Sequence, residues 1–262
     1  MRGTPQNAVG YCTGGGVDIK LEAMRAIAVI PARLASTRLP RKMLLLIAGE
    51  PLLAHVYRAV SASPLLSDIV IATDSEEILD LCLTKGWHAR MTSMNHKSGT
   101  ERVHEVSQSL PADVYVNVQG DEPLTRPEHL ATLLQAMGHE SVLVGTLKTK
   151  ASPDDIHNSS AVKVVTDKNG WALYFSRATI PFDRDRGDPD YFKHLGFYAY
   201  RKPALDQFVS LPESPLEKTE RLEQLRFLEN RIPILVAETP YDSIGVDTQE
   251  DANRVESILQ KR

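Results

Sequence analysis

The strongest constraint on the fold of this 262-residue chain is an alternation of two sequence patterns that begins at Arg25. Short runs rich in β-branched residues, such as AIAVI at 26–30 and VYVNV at 114–118, alternate with stretches that have helical periodicity. This alternation is typical of βαβ units around a mostly parallel sheet. We therefore predict an α/β fold with a Rossmann-like, doubly wound sheet.

Periodicity and the residues that start and stop each segment predict the individual elements. Strands are predicted at 26–30, 69–73, 88–91, 114–118, 142–147, 194–201 and 234–239. Helices are predicted at 49–63, from the Asp74-Ser75 cap through Lys85, and at 100–110, 127–137, 203–210, 215–230 and 249–261. Residues 161–178 predict a hairpin that turns at 167–170, where Asn-Gly favours positive φ.

Composition narrows the class of protein and its cellular compartment. The net charge of −4 and pI near 6.1 disfavour a nucleic-acid binder, which usually has a basic surplus. No apolar run approaches the roughly 20 residues that cross a bilayer. Cys12 and Cys82 lack metal-binding spacing and indicate free thiols in a reducing compartment. We expect a cytoplasmic protein without nucleic-acid or membrane partners.

Residues 1–24 differ from the rest of the chain. They are rich in glycine and in small or polar residues, and they contain no continuous apolar run. That composition indicates a disordered leader rather than a secretory signal. We expect a single domain at 25–262.

Four cations follow the first predicted strand within ten positions. They are Arg33, Arg38, Arg41 and Lys42, in the segment IPARLASTRLPRK. The carboxyl end of this strand is where doubly wound folds bind ligands, and the forked donors of arginine suit phosphate oxygens. Neither GxxxxGK[ST] nor GxGxxG occurs here, and an ordinary solvated basic loop is the alternative.

Two acids follow strand-like runs elsewhere. Asp121 lies in QGDE after 114–118, and Asp247 lies in GVDT before the last helix. Carboxylates at converging strand ends suit Mg²⁺, and without a cation between them they would repel each other. Alternatively, Asp121 caps a turn, and either Asp247 or Thr248 caps the last helix.

Two further motifs have simple structural explanations. Ser98 and Glu101 stand at capping-box spacing, although a helix start there could also contact a nucleotide. The Asp183-Arg184-Asp185 triplet resembles the metal-binding Asp-x-Asp of glycosyltransferases, but it does not end a central strand. We interpret 183–185 as part of a charged loop.

Taken in order, eight segments resemble one enzyme family, the 3-deoxy-manno-octulosonate cytidylyltransferases or CMP-Kdo synthetases. They are IPARLASTRLPRK, HKSGTER, VNVQGDEP, AVKVV, ALYFSRATIPFDRDR, HLGFYAYR, LEKTERLEQLR and GVDTQEDANR. The resemblance spans 25–262. It implies a fold of the nucleotide-diphospho-sugar transferase type, with a β-hairpin arm at 160–200 that makes a homodimer.

The same resemblance implies the reaction and its residues. CTP and Kdo (3-deoxy-D-manno-octulosonate) would give CMP-Kdo and pyrophosphate with Mg²⁺, for lipopolysaccharide biosynthesis. The catalytic group would be Lys42, Asp121 and Asp247, with both acids on the metal. The nucleotide-binding residues would be Arg33, Ser36, Arg38, Lys42, Ser98 and Arg102. The sugar-binding residues would be Gln119, Arg177, His194, Tyr198, Glu223 and Gln224.

One position departs from the family pattern. Arg41 stands in Pro40-Arg41-Lys42, where the family usually has Pro-Gly-Lys. Glycine adopts positive φ freely, whereas arginine does not. Either the backbone is in an ordinary conformation here, or the loop differs slightly.

Other functions stay open at this point. The acceptor could be another acidic sugar, such as a sialic acid or an amino-Kdo analogue. The chain could also be a silent nucleotide-binding module or a metal-dependent glycosyltransferase. No residue is an obvious strong general base, so metal activation of the sugar hydroxyl is the favoured mechanism.

Overall fold

The computed structural model describes residues 24–36 and 38–261. The expectation of a disordered leader therefore lies outside the described residues, apart from Met24. The strands are β1 (Ala26–Ala32), β2 (Leu46–Ile47), β3 (Glu50–Pro51), β4 (Asp68–Thr73), β5 (Ala89–Met91), β6 (Val114–Asn117), β7 (Val144–Lys150), β8 (Lys163–Thr166), β9 (Ala172–Ser176), β10 (Phe192–Tyr200) and β11 (Ile234–Glu238). The helices are α1 (Leu52–Ser61), α2 (Glu76–Lys85), α3 (Gly99–Ser107), α4 (Pro127–Ala136), α5 (Pro153–His157), α6 (Lys202–Ser210), α7 (Pro215–Glu220), α8 (Leu225–Glu229) and α9 (Gln249–Leu259).

The main sheet has the order β11-β7-β10-β6-β1-β4-β5. Neighbouring strands are parallel except at β10, which runs antiparallel to both β6 and β7. The first half of β10 therefore lies at the edge where the parallel strands have their carboxyl ends. Strands β8 and β9 form the predicted hairpin, and β8 also pairs with β10. The α/β prediction with a mostly parallel sheet is confirmed.

Helices cover both faces of this sheet. Along β1, Ala26, Ala28 and Ile30 contact one apolar cluster, whereas Ile27 and Val29 contact another. Helices α1, α2 and α4 contribute to the first cluster, and α3, α6 and α8 contribute to the second. A strand that is buried on both faces is a nearly continuous apolar run, as β1 is. This burial fixes the strand ends from which the site is built.

The single helix predicted at 215–230 is wrong, because the structure has α7 and α8 with a break between them. Arg221 adopts a left-handed conformation at φ 57°, and Leu222 N–H donates to the Glu217 carbonyl at 3.2 Å. The buried Arg226 guanidinium donates to both carboxylate oxygens of Glu217, at 2.8 and 2.5 Å. This two-pronged ion pair spans the break and replaces the continuous helical ladder. The segment 221–224 is thereby turned toward a cavity.

The sequence also left one short helix unpredicted. In α5, Ser152 accepts a hydrogen bond from Asp155 N–H at 3.2 Å and caps the first turn. A five-residue helix without buried residues has no apolar period to detect. Among the described residues, none of the helices has the length and apolarity needed to cross a membrane.

Candidate active site

A cavity of about 190 Å³ opens at the carboxyl ends of β1 and β6. The basic loop after β1 forms one wall, and the start of α3 forms another. Every residue for which a nucleotide-binding role was predicted lines it: Arg33, Ser36, Arg38, Lys42, Ser98 and Arg102. Asp121 and Asp247 line the same space, so the two acids and the cations are brought together.

Lys42 lies between the two acids. Its Nζ donates to Asp121 Oδ2 at 2.5 Å and to Asp247 Oδ1 at 3.0 Å, and only 9% of its side chain is exposed. Burial acts to lower the pKa of Lys42, but the attraction of both carboxylates outweighs it and raises that pKa. The ammonium therefore supplies the cation that the two acids were expected to need, and it compensates both carboxylate charges.

The backbone fixes both acids. Val246 N–H donates to the Asp121 carbonyl at 2.9 Å, which joins the two loops. A Cβ on Gly120 would lie 2.7 Å from the Pro31 carbonyl, so only glycine fits where β6 passes the end of β1. Thr248 caps α9 by accepting from the Asp251 N–H at 3.2 Å. Thr248, and not Asp247, is therefore the cap.

The basic loop contains a strained residue. Arg41 has φ 57° and ψ 32°, which is left-handed, so the possibility of an ordinary backbone conformation is wrong. Its side chain forms an ion pair with Glu77 on α2. Arg38 forms a second pair, with Asp247 at 2.9 Å. The loop conformation that glycine would adopt freely is thus adopted by an arginine with an ionic partner.

Ser98 and Arg102 both have structural partners. Ser98 caps α3 by accepting from Glu101 N–H at 3.2 Å. The buried Arg102 guanidinium pairs with Asp74 and donates to Thr92 Oγ1 at 2.6 Å. These contacts explain the fold of the cavity wall, and nucleotide contact by either residue stays a prediction.

A larger cavity of about 850 Å³ adjoins the first. The two share Arg38, Gln119, Asp121 and Asp247. All six residues with a predicted sugar-binding role line the larger one: Gln119, Arg177, His194, Tyr198, Glu223 and Gln224. These residues come from β10, from the segments that follow β6 and β9, and from the break between α7 and α8, so the fold assembles them from distant parts of the chain.

His194 is held as a neutral imidazole. Burial lowers its pKa to about 3. Its Nε2 lies 3.0 Å from Thr146 Oγ1, whose own proton goes to the Phe197 carbonyl at 2.7 Å. Nε2 is therefore the protonated nitrogen, and Nδ1 is left as an acceptor. A neutral acceptor suits a hydroxyl rather than a carboxylate.

Arg177 is partly engaged by the protein itself. Its Nε donates to the Glu220 carbonyl at 2.8 Å, and its Nη1 donates to the Ser159 carbonyl at 3.1 Å. These bonds go to neutral carbonyl oxygens and hold Arg177 on the wall of the larger cavity. Contact with a substrate stays a prediction.

Comparison with known proteins places this geometry in a family. The cytidylyltransferase family matches residues 27–235. The 3-deoxy-manno-octulosonate cytidylyltransferase of Koribacter versatilis is 64% identical over 93% of this chain and 94% of its own length. The corresponding enzyme of Acidobacterium capsulatum is 55% identical over 92% of this chain and 99% of its own length.

The chain belongs to the 3-deoxy-manno-octulosonate cytidylyltransferase family. A solved structure described as CMP:2-keto-3-deoxy-manno-octonic acid synthetase complexed with CTP is 40% identical, with a TM-score of 0.87. That similarity covers 90% of this chain and 99% of the other. A 4-diphosphocytidyl-2C-methyl-D-erythritol synthase from Anaerococcus prevotii, 16% identical with a TM-score of 0.63, shares the fold.

Sequence reasoning did not assign several charged residues of the larger cavity in this cytidylyltransferase, and Glu122 and Lys193 are two of them. The Glu122 carboxylate accepts a hydrogen bond from the Ser243 hydroxyl. Burial, together with the negative charge of neighbouring Asp121, raises the pKa of Glu122 to about 7. Lys193 pairs with Asp242 at 2.9 Å. Glu122 could have been found, because it directly follows Asp121 at a strand end. Lys193 gives no comparable signal, since its partner is 49 positions away.

The acid pair fits the Mg²⁺ that the family resemblance implies. Lys42 already shows that oxygens of Asp121 and Asp247 converge on one cation. Among the described residues no group of three or more potential ligands forms a metal site. Two carboxylates are nevertheless the usual protein share of a Mg²⁺ site, in which substrate phosphates and water supply the other oxygens.

Proposed function

We propose that this chain transfers the CMP moiety of CTP to the anomeric hydroxyl of Kdo and releases pyrophosphate. The observation that carries the proposal is the junction of the two cavities at Asp121 and Asp247. One cavity offers cations for a triphosphate, and the other offers hydrogen-bonding groups for a sugar acid. The relatives carry the name of this enzyme over more than nine-tenths of the chain, and they do not favour sialic acid or an amino-Kdo analogue as acceptor.

The residues of the chain would act mainly by placing charges and reactants. An oxygen–phosphorus bond forms between the sugar hydroxyl and the α-phosphorus, and the bond from that phosphorus to the β-phosphate oxygen breaks. Arg33, Arg38 and Lys42 line the first cavity and would compensate the triphosphate charge. Gln119 borders both cavities, so it stands where the acceptor meets the nucleotide.

We propose Mg²⁺ as the cofactor, held by Asp121 and Asp247. When bound, the ion would polarise the α-phosphate and favour ionisation of the sugar hydroxyl. Lys42 would then have phosphate oxygens as alternative partners for its ammonium.

We further propose a cytoplasmic homodimer that acts in lipopolysaccharide biosynthesis. The dimer would form through the arm at 160–200. Leu173 and Phe182 in this arm are 63% and 85% exposed, which supports a contact with a second copy. The location and pathway follow from the nucleotide and sugar that the family name implies. Analytical ultracentrifugation of the wild type and of Phe182→Ser tests the dimer, and a wild-type monomer contradicts it.

Pyrophosphate release tests the reaction. The protein is incubated with CTP, Mg²⁺ and one of three acceptors: Kdo, a sialic acid or an amino-Kdo analogue. We expect release with Kdo at a kcat/KM at least tenfold above the other two. A higher kcat/KM with another acceptor would show that Kdo is not the preferred substrate. If pyrophosphate is released with none of the three acceptors, the proposed enzyme activity is wrong.

A further inference from the structure

A buried hydroxyl joins the start of α3 to the wall of the larger cavity. Thr100 Oγ1 lies 3.0 Å from Glu223 Oε1 and 3.2 Å from Tyr200 Oη, and Thr100 has no exposed surface. Burial raises the pKa of Glu223, and the hydroxyls of Ser98 and Thr100 oppose that rise. When Glu223 is ionised its carboxylate can only accept, so Thr100 then gives its single proton to Glu223 and accepts from Tyr200. This order of donors fixes one oxygen of the Glu223 carboxylate.

The other oxygen of Glu223 lacks a partner in the part of the chain that the structure describes. Glu223 Oε2 is buried without a hydrogen-bond partner among the described residues, and the same holds for the Tyr198 hydroxyl. Both residues line the larger cavity. A buried polar atom without a partner costs roughly 1–3 kcal/mol, so such groups on a cavity wall are suited to the hydroxyls of a bound molecule.

The position of Thr100 also relates the two cavities. Thr100 follows Gly99, and Ser98 and Gly99 line the smaller cavity. Glu223 lies on the larger one, 123 positions further along the chain. One helical turn therefore forms part of the nucleotide-side wall and orients a group on the sugar side.

We propose that Thr100 is a positioning residue that orients the Glu223 carboxylate toward a hydroxyl of the acidic sugar. This inference rests on the proposed function. Rotation about the last side-chain torsion of glutamate is loosely restricted, so a fixed donor is needed to hold the carboxylate plane. Tyr200 lies within hydrogen-bond distance of Thr100 Oγ1 and, as donor, fixes the direction of the Thr100 hydroxyl proton.

The test replaces the hydroxyl at constant shape. Thr100→Val should raise the KM for the acceptor about tenfold, the size expected for one lost hydrogen bond to a charged group. The KM for CTP should stay within twofold, because Arg33, Arg38 and Lys42 are untouched. Thr100→Ser keeps the hydroxyl, so its KM for the acceptor should lie within about threefold of the wild-type value. Tyr200→Phe should raise the KM for the acceptor by less than Thr100→Val does, since the hydrogen bond from Thr100 to Glu223 remains.

Two further measurements separate positioning from a structural role. Carboxyl NMR should show that Thr100→Val raises the pKa of Glu223, because a donor to the ionised form is lost. All kinetic comparisons use the acceptor that the wild type prefers, so an error in the sugar's identity does not affect them. An unchanged acceptor KM in a folded Thr100→Val protein overturns the inference, as do equal rises for both substrates or a failed rescue by serine. A wild type that releases no pyrophosphate instead overturns the proposed function.

Discussion

The two cavities differ in how completely their polar groups are paired. In the smaller one, Arg38 and Lys42 pair with Asp121 and Asp247, so these four charges compensate one another before any ligand arrives. In the larger one, Glu223 Oε2 and the Tyr198 hydroxyl are buried without partners among the described residues. The first arrangement suits a ligand that brings its own charge and exchanges partners. The second suits a ligand that supplies missing hydrogen bonds.

This difference bears on selectivity. A site with several cations can accept many phosphates, because Coulomb attraction depends little on the outline of the ligand. A wall of buried polar groups discriminates more strongly, since an analogue without the matching hydroxyl leaves those groups unpaired. We therefore expect the larger cavity to decide which sugar acid reacts.

The largest expected effect concerns the acid pair. Asp121→Asn and Asp247→Asn should each lower kcat by about a hundredfold, which corresponds to roughly 2.7 kcal/mol. Each change also leaves the buried Lys42 ammonium with one carboxylate, so the metal-free protein should lose roughly 1–3 kcal/mol of unfolding free energy. Steady-state kinetics over a Mg²⁺ range and urea unfolding with chelator measure both effects.

Asp80→Asn is the matched control, because Asp80 is exposed on α2 and lies outside both cavities. It should leave kcat and stability unchanged. Near-normal turnover with unchanged Mg²⁺ dependence in either acid variant would show that the smaller cavity does not need its compensated pair.

A second prediction concerns the neutral imidazole of the larger cavity. The pKa of His194 is about 3 in the folded protein against 6.5 ordinarily, so the unfolded chain binds more protons between these values. The contribution of His194 to the unfolding free energy should therefore fall by about 2 kcal/mol between pH 7 and pH 5, whereas Glu122, whose pKa is raised to about 7, contributes with the opposite sign. His194→Gln should remove this part of the slope in urea titrations at pH 7 and 5.

His139→Gln serves as the comparison, since His139 is exposed beyond α4. The unfolding free energy of His139→Gln should change with pH as that of the wild type does. If the unfolding free energy of His194→Gln changes between pH 7 and 5 by the same amount as that of the wild type, the imidazole takes up a proton in the folded protein as readily as in the unfolded chain, and His194 is not held neutral.

The smallest expected effect lies in the basic loop. Arg41→Gly relieves a left-handed arginine, which costs about 1–2 kcal/mol, but it removes an exposed ion pair and adds freedom to the unfolded chain. We expect a net gain of at most about 1 kcal/mol in unfolding free energy, with kcat retained. Glu77→Gln removes the ion pair alone and should lose up to about 1 kcal/mol. A loss of several kcal/mol in Arg41→Gly would mean that the arginine determines the loop.

Features of the site that depend on residues close together in the chain could be predicted from the sequence. Strand runs followed by the cations at 33–42 or by Asp121 indicate the smaller cavity, because strand ends of a doubly wound sheet meet at one edge. The position of Lys42 between the acids could not be predicted, since it depends on three segments that meet only in the folded chain. The contact of Thr100 with Glu223 is hidden for the same reason.

Local backbone conformation was the second feature that the sequence could not predict. Residues 215–230 have a helical pattern, and nothing in the local sequence marks Arg221 as left-handed. The break is stabilised by the contact of Glu217 with Arg226, whose guanidinium also lies 4.0 Å from the centre of the Phe208 ring. Tertiary contacts of this kind override helical propensity.

That broken helix also has a thermodynamic consequence. The segment 221–224 is held at both ends, by the capped α7 before it and by α8 after it, and the pair of Glu217 with Arg226 spans the gap. The conformational entropy of Glu223 and Gln224 is therefore largely lost when the chain folds rather than when a sugar binds. A rigid wall of this kind lowers the entropic cost of association, so the enthalpy of each new hydrogen bond contributes more fully to affinity.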